Sequence, residues 1–142
     1  MHLTPKQVAL AYIDACSRKD FDAVAPLLSE DLSFVGPGNT THGAQPYLTI
    51  LRRLGAVWER SDVKHAFSDG DDVCVIYDFV TNTEAGAVPI VEWLSIRDQR
   101  IQGVRLFFDR LSFQPAADRL SQLAADGGRD ASKPDPCHTT RS

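Results

Sequence analysis

The chain has 142 residues, of which 43% are hydrophobic and 24% are charged, a composition typical of one globular domain rather than a two-domain enzyme. Asp and Glu number 19 against 15 Lys and Arg, which leaves a net charge of -4. Because nucleic-acid surfaces are built on excess positive charge, this balance argues against nucleic acid as a partner.

The first part of the sequence predicts two helices. Thr4 and Gln7 form a capping box that starts a helix ending near residue 18, with Tyr12 on its apolar face. Asp20 is a suitable N-cap for a second helix, which Pro26 shortens. Two helices therefore precede the first predicted strand.

The next segment predicts a short strand over residues 32–35, a loop, and a third helix over residues 44–54. Residues 32–51 carry no Asp, Glu, Lys or Arg, but glycines and prolines interrupt the stretch, so it does not predict a membrane span. The N-terminus shows no signal-peptide pattern, and we predict a cytoplasmic protein with no membrane partner.

Four long strands follow, over residues 56–67, 72–83, 87–96 and 100–113, separated by short turn sequences. A last turn or two of helix is predicted after Pro115. Residues 126–142 contain no large apolar side chain and are predicted to be a disordered tail, so that residues 1–125 form the single domain.

Helices followed by an antiparallel meander predict an α+β fold. Long strands favour a strongly curved sheet, here forming a cone whose concave face is covered by the three N-terminal helices. Such an arrangement encloses a cavity.

Several short strings, in this order and spacing, resemble the superfamily of nuclear transport factor 2-like proteins, and in particular its SnoaL-like and ketosteroid isomerase-like domains. The resemblance covers residues 5–113 and implies a cystatin-like cone. Members include ketosteroid isomerases, polyketide cyclases, scytalone dehydratase and limonene epoxide hydrolase, as well as proteins that only bind, so the fold specifies no reaction. The strings are Ala11-Tyr12-Ile13, Lys19-Asp20-Phe21, Leu32-Ser33-Phe34-Val35-Gly36-Pro37, His42-Gly43, Ile90-Val91-Glu92-Trp93-Leu94, Arg100-Ile101 and Phe107-Phe108-Asp109.

Glu92 stands where the strand pattern calls for an aliphatic side chain. Two-residue alternation places it on one face with Ile90 and Leu94. A carboxyl there would be protonated, pair with a cation or line a cavity. In the alternative orientation, Val91 and Trp93 face inward and Glu92 lies on the surface. In ketosteroid isomerases the position that Glu92 resembles holds the protonated acid of the oxyanion hole.

Tyr12 resembles the tyrosine that donates to the same oxyanion hole, although a core aromatic with a backbone partner would fit the pattern equally well. Gly36 stands where those isomerases carry the aspartate base. Steroid isomerisation by their mechanism is therefore not expected, and in an enzyme Glu92 itself would act as general acid or base.

Three further polar residues are candidates. Asp109 resembles the aspartate base of SnoaL-type cyclases, but strand parity places it with Arg105, where a surface ion pair is the alternative. Asn39 and His42 lie in the predicted loop before the third helix, which passes near the cavity mouth in this superfamily. His42 suits proton transfer, or it caps that helix.

The remaining predicted substrate contacts are apolar or aromatic side chains, which core packing would also require: Trp58, Tyr77, Phe79, Leu106 and Phe108. The sequence shows no metal-ligand spacing and no glycine-rich phosphate loop, so neither a metal nor an organic cofactor is predicted. Its three cysteines have unrelated spacings and predict reduced thiols.

These patterns favour a small cofactor-independent enzyme. It would carry out acid–base chemistry, such as isomerisation, cyclisation, dehydration or epoxide opening, on a hydrophobic small molecule. The alternative is a non-catalytic ligand-binding or dimerisation module of the same fold, and an accessory domain for a protein partner is a third possibility. A homodimer through the outer face of the sheet is expected in either of the first two cases.

Overall fold

A computed structural model describes residues 2–132 of the chain, with side chains described through residue 127. The elements, in chain order, are α1 (Pro5–Ser17), α2 (Phe21–Val24), a 3-10 turn (Ala25–Leu27), β1 (Leu28–Gly36), β2 (Asn39–His42), α3 (Ala44–Leu54), β3 (Trp58–Asp69), β4 (Asp72–Thr81), β5 (Ala87–Arg97), β6 (Arg100–Phe107) and α4 (Arg110–Ser132).

The predicted starts of the three N-terminal helices are confirmed. The Gln7 amide donates to Thr4 Oγ1 over 3.2 Å and the Thr4 amide donates to Gln7 Oε1 over 2.9 Å, so the capping box at α1 is complete. Asp20 caps α2 by accepting from the Ala23 amide over 3.2 Å. α3 spans the residues that the sequence predicted.

Six strands form one curved, unclosed sheet in the order β2-β1-β6-β5-β4-β3. The α+β class and the cystatin-like curved sheet are confirmed. The predicted antiparallel meander is confirmed for β3 to β6, and β1 joins it by pairing with β6 in parallel. Two register shifts in β3, near Arg60 and Lys64, mark bulges, which strengthen the twist of this strand.

The first strand and its neighbour differ from the sequence prediction. β1 begins at Leu28, four residues before the predicted strand, and includes the polar run Ser29-Glu30-Asp31. β2 occupies what was predicted to be loop, and it pairs with β1 through a turn at Gly38, whose φ is +77°. Both segments are rich in polar residues, so alternation of apolar side chains gives no signal for them.

The C-terminal part of the described chain also corrects the prediction. β6 ends at Phe107 instead of residue 113, and α4 runs from Arg110 to Ser132 with Pro115 inside it. The three predicted N-terminal helices are therefore joined by a fourth, which is longer than the predicted turn or two. The predicted tail boundary at residue 126 falls inside α4, and residues 133–142 lie outside the described residues. Ala116 and Leu120, buried against Val57, dock this helix on the domain.

The main core lies between the concave sheet face and the helices, and α1 packs across β3, β4 and β5. Val73, Val75, Leu94 and Ile101 are fully buried on this face. Among the described residues, none of the helices combines the length and apolarity that crossing a bilayer requires. The packing leaves a space beside the core, between the sheet, α1, α3 and α4.

Candidate functional site

A cavity of about 290 Å³ occupies the space between the concave sheet face and the helices. This volume is at the lower end of the range for small-molecule pockets. All six residues predicted as substrate contacts line it: Asn39, Trp58, Tyr77, Phe79, Leu106 and Phe108. Most of the other lining side chains are apolar or aromatic, and they are contributed chiefly by β1, α3 and α4: Phe34, Pro37, Ile50, Leu51, Leu54, Ile90, Phe113 and Ala117.

The buried end of the cavity is polar. Glu92 is only 2% exposed, which confirms the predicted orientation of β5; Trp93, on the opposite face, is 42% exposed. The Tyr77 hydroxyl donates to Glu92 Oε1 over 2.7 Å, and the hydroxyls of Tyr12 and Tyr47 are hydrogen-bonded to each other. The chain has three tyrosines, and all three lie beside Glu92, the one buried carboxyl in the part of the chain that the structure describes.

Two groups in this cluster are available for hydrogen bonds to a ligand. Glu92 Oε2 has no hydrogen-bond partner among the described residues. The hydrogen bond between Tyr12 and Tyr47 uses one of their two hydroxyl protons, and the other can be donated to Glu92 or to a ligand oxygen. The cavity therefore offers an acid–base oxygen and a hydroxyl donor side by side.

Burial raises the pKa of Glu92 to about 7, because the anion loses its hydration. The hydroxyls of Tyr77 and, to a lesser degree, Tyr12 oppose this effect by stabilising the anion. A carboxyl with a pKa near neutrality exists in both protonation states under ordinary conditions. This is the property required of a group that both takes and returns a proton.

The tyrosines remain protonated at neutral pH. Burial first, and then the negative charge of Glu92, raises the pKa of Tyr12, Tyr47 and Tyr77 well above the usual value of 10. Burial likewise raises the pKa of the Cys16 thiol, which lies close enough to feel the charge of Glu92. Each of these neighbours is neutral, so Glu92 is the one titrating group of the cluster near pH 7.

The first strand has no space for a second carboxyl. Gly36 lines the cavity, and a Cβ atom added to it would lie 2.9 Å from Phe34 Cζ. The Phe34 ring itself is fixed by packing on Tyr47, with ring centroids 5.0 Å apart. Any side chain at position 36 would have to displace this ring.

The other end of the cavity reaches solvent. Asn39, Arg110 and Gln114 line it and are exposed, in contrast to the buried Glu92 and Tyr12. Asn39 belongs to β2, and the other two belong to the first turns of α4. The cavity thus has a polar closed end, an apolar middle and a polar mouth.

Two of the predicted catalytic residues lie outside the cavity. His42 ends β2 and is exposed. Asp109 is exposed and stands just before α4, where it accepts a hydrogen bond from the Ser112 amide over 3.1 Å. Its hydrogen bonds to Ser112 hold the pKa of this carboxyl below its usual value. No ion pair with Arg105 forms among the described residues, so Asp109 acts as a helix cap.

The Asp109→Ala variant tests this assignment. We expect a lower urea midpoint, because the first turn of α4 loses its cap, and unchanged ligand affinity, because no cavity contact is removed. Urea unfolding and a titration with 4-phenylbutan-2-one measure the two effects, with Gln122→Ala, at an exposed position farther along the same helix, as the control. Weaker binding at unchanged stability would contradict this assignment.

Sequence reasoning missed Tyr47 and the residues of α4. Tyr47 lies on the apolar face of α3 with Leu51 and Leu54, the same placement that drew attention to Tyr12 on α1. The spacing of apolar residues along α3 could therefore have identified Tyr47 as a cavity residue. Arg110 and Gln114 were assigned to the last strand or its end, so their place at the mouth was not foreseen.

The described residues contain no group of three His, Cys, Asp or Glu side chains arranged to hold a metal ion.

The sequence model of the SnoaL-like domain family matches residues 9–104. The chain belongs to the SnoaL-like domain family. No curated protein matches it. The matched range includes Tyr12, Tyr47, Tyr77 and Glu92 and ends before α4, so the mouth residues Arg110 and Gln114 lie outside it.

Solved structures similar to this SnoaL-like domain share its fold. A protein from Kribbella flavida is 28% identical, with a TM-score of 0.71 over 86% of this chain and 96% of that one. A limonene epoxide hydrolase-like epoxide hydrolase from Mycobacterium tuberculosis is 22% identical, with a TM-score of 0.67 and 86% and 96% coverage. A nuclear transport factor 2-like protein of unknown function from Cytophaga hutchinsonii is 23% identical, with a TM-score of 0.67 and 78% and 94% coverage.

Proposed function

We propose that this SnoaL-like domain is an enzyme that transfers a proton within a hydrophobic small molecule bearing a carbonyl or epoxide oxygen. The observation that carries the proposal is Glu92: a fully buried carboxyl with one unpartnered oxygen, a pKa of about 7 and a place in the cavity wall. Isomerisation, aldol-type cyclisation, dehydration and epoxide opening all begin with such a transfer.

The proton transfer is supported by the state of Glu92. Its anion, formed near pH 7, takes a proton from a carbon beside the ligand carbonyl, and the resulting carboxyl returns a proton to the product. In its acid form the same group protonates an epoxide oxygen as the C–O bond breaks, while a ligand-bound water molecule adds to the carbon and returns its proton to the carboxylate. Because the surrounding walls are apolar, bulk water competes little for the unpartnered oxygen of Glu92.

Charge that develops on the ligand oxygen is stabilised by the tyrosine pair. Tyr12 and Tyr47 share one hydrogen bond, and their second hydroxyl proton, which stabilises the Glu92 anion, becomes available to an enolate or alkoxide oxygen once Glu92 has taken up its proton. Burial keeps both phenols protonated, so the donor persists throughout the neutral pH range. Tyr77 is occupied by Glu92 and acts as a positioning residue.

Hydrogen–deuterium exchange of a plain ketone tests the proposal without knowledge of the natural substrate. We expect the protein to accelerate deuterium uptake at the carbons beside the carbonyl of 4-phenylbutan-2-one in D₂O, followed by NMR. The Glu92→Gln variant should lose this acceleration, because an amide does not take the proton. Glu84→Gln, at an exposed glutamate, is the matched control and should retain it.

The same experiment separates the enzyme from a binding module. A wild-type protein that binds the ketone but gives no more exchange than Glu92→Gln would contradict the proposed chemistry and favour the non-catalytic alternative. That alternative is supported by Gly36, which leaves the cavity with a single carboxyl.

We further propose that the partner of this domain is a second copy of the same chain, bound through the outer face of the sheet. Phe67, Trp93 and Phe107 are 57%, 42% and 50% exposed, and strand register places them together on this face. A monomer rarely leaves a row of large apolar side chains in water. Arg105, whose guanidinium stacks 5.7 Å from the Trp93 ring centre, lies in the same row.

Sedimentation analysis tests the dimer. We expect a mass twice the 15.6 kDa of one chain and a shift to the monomer in Trp93→Lys. Leu111→Lys is the control, because Leu111 is 81% exposed but lies outside the sheet. A wild-type monomer, or equal weakening by both variants, would contradict this interface.

A further inference from the structure

Among the described residues, Arg110 is the one cationic side chain that lines the cavity. It sits at the mouth, on the first turn of α4, while the sole acidic lining residue, Glu92, is at the closed end. Its guanidinium lies against the β1–β2 turn: a Cβ atom added to Gly38 would be 3.0 Å from Arg110 Cζ and Nη1. The glycine at this turn lets the guanidinium pack against the backbone.

The charge of Arg110 is not used by the described part of the protein. The five ion pairs found among the described side chains do not include it. The acids nearest to it along α4 are engaged elsewhere: Asp109 accepts from the Ser112 amide over 3.1 Å, and Asp118 accepts from Gln114 Nε2 over 2.8 Å.

We infer that the natural ligand is an apolar molecule with an anionic carboxylate, held at the mouth by Arg110, and a reactive oxygen directed toward Glu92. This inference deepens the proposed function and rests on it for the reactive end. The carboxylate follows from the chemistry of the mouth. Arg110 presents a planar donor fork, and the Asn39 amide adds a further donor beside it.

The arrangement also fixes the direction in which the ligand lies. An anion at the closed end would meet the Glu92 carboxylate, whereas at the mouth it meets the guanidinium and remains partly hydrated. The apolar middle of the cavity accommodates the body between these ends. Arg110 is thus a specificity residue that orients the substrate and does not take part in proton transfer.

Binding of an isosteric pair tests the inference, with 4-phenylbutyrate as the anion and 4-phenylbutanamide as the neutral probe. Fluorescence of Trp58, which lines the cavity, reports binding in a Trp93→Phe background that leaves it the sole tryptophan. We expect the carboxylate to bind about ten-fold more tightly than the amide, because one charge-assisted contact distinguishes them. Arg110→Gln should reduce this preference to about two-fold or less, and added salt should do the same.

Two further variants serve as controls for Arg110→Gln. Arg110→Lys keeps the charge and should keep most of the preference, while Arg119→Gln, farther along α4 and outside the cavity, should leave it unchanged. Equal binding of acid and amide, a preference that survives Arg110→Gln, or binding of neither probe would overturn the inference. The proposed function fails separately, when ketone exchange is absent or indifferent to Glu92.

Discussion

Replacement of Glu92 by Gln is expected to raise the free energy of unfolding by about 3 kcal/mol at pH 8 and by little at pH 4. The reason is the raised pKa of Glu92, which is about 7 in the folded protein and 4.5 for an ordinary glutamate. At pH 8 the wild-type fold has to keep a buried anion, whereas the amide is neutral at every pH.

The sign follows from the order of the two pKa values. The folded state binds the Glu92 proton more tightly than the unfolded state, so this group favours the fold fully below about pH 4.5. The contribution is lost as pH rises toward 7 and is absent above it. Cys16 and the three neighbouring tyrosines have pKa values raised by burial, so they do not titrate in this window.

Urea unfolding of the two proteins at pH 4, 6 and 8 measures this difference. Subtracting one curve from the other cancels the contribution of the exposed acids, which both proteins share. Glu84→Gln is the control and should show no such dependence on pH. A Glu92→Gln protein less stable than wild type at pH 8 would mean that the wild-type anion is paired and favourable.

Removal of the Tyr77 hydroxyl is expected to shift the pKa of Glu92 upward by about one unit, because a hydrogen bond that stabilises the anion is lost. In Tyr77→Phe, the rate of ketone exchange should therefore reach its plateau at a higher pH than in the wild type. The plateau rate should change little, since Tyr77 positions and tunes the base without contacting the ligand oxygen.

Tyr12→Phe is the matched comparison. Here we expect a small effect on the pKa of Glu92 and a large effect on the plateau rate. Its effect on the pKa of Glu92 is smaller than that of Tyr77. The plateau rate should fall, because this variant breaks the tyrosine pair that donates its second hydroxyl proton to the ligand oxygen. A pH–rate profile for each variant separates the two roles, and identical profiles for both would contradict the assignment.

Much of this arrangement could be predicted from the sequence. Alternation along β5 placed Glu92 inward with Ile90 and Leu94, and the spacing of apolar residues placed Tyr12 on the buried face of α1. Both are local patterns that repeat over several residues. The capping box at α1 and the turn residues beside β5 are also local, so the limits of these two elements were predicted well.

The rest depended on interactions that local patterns do not encode. The parallel pairing of β1 with β6 joins residues far apart in sequence, and β2 has too few apolar residues to show a period. Pro115 was taken as a break, yet the helix continues through it because Ala116 and Leu120 are buried against the domain. Because the first part of α4 was not predicted, neither the mouth of the cavity nor the place of Arg110 in it was foreseen.

A titration of the Glu92 carboxyl by ¹³C NMR, with and without 4-phenylbutan-2-one, tests the proposed acid–base centre. The chain has four glutamates, and the exposed Glu30, Glu59 and Glu84 serve as internal controls. We expect a pKa of about 7 for Glu92 that moves when the ketone binds and that Tyr77→Phe raises. A Glu92 pKa equal to those of the exposed glutamates, and unaffected by the ketone, would contradict the account.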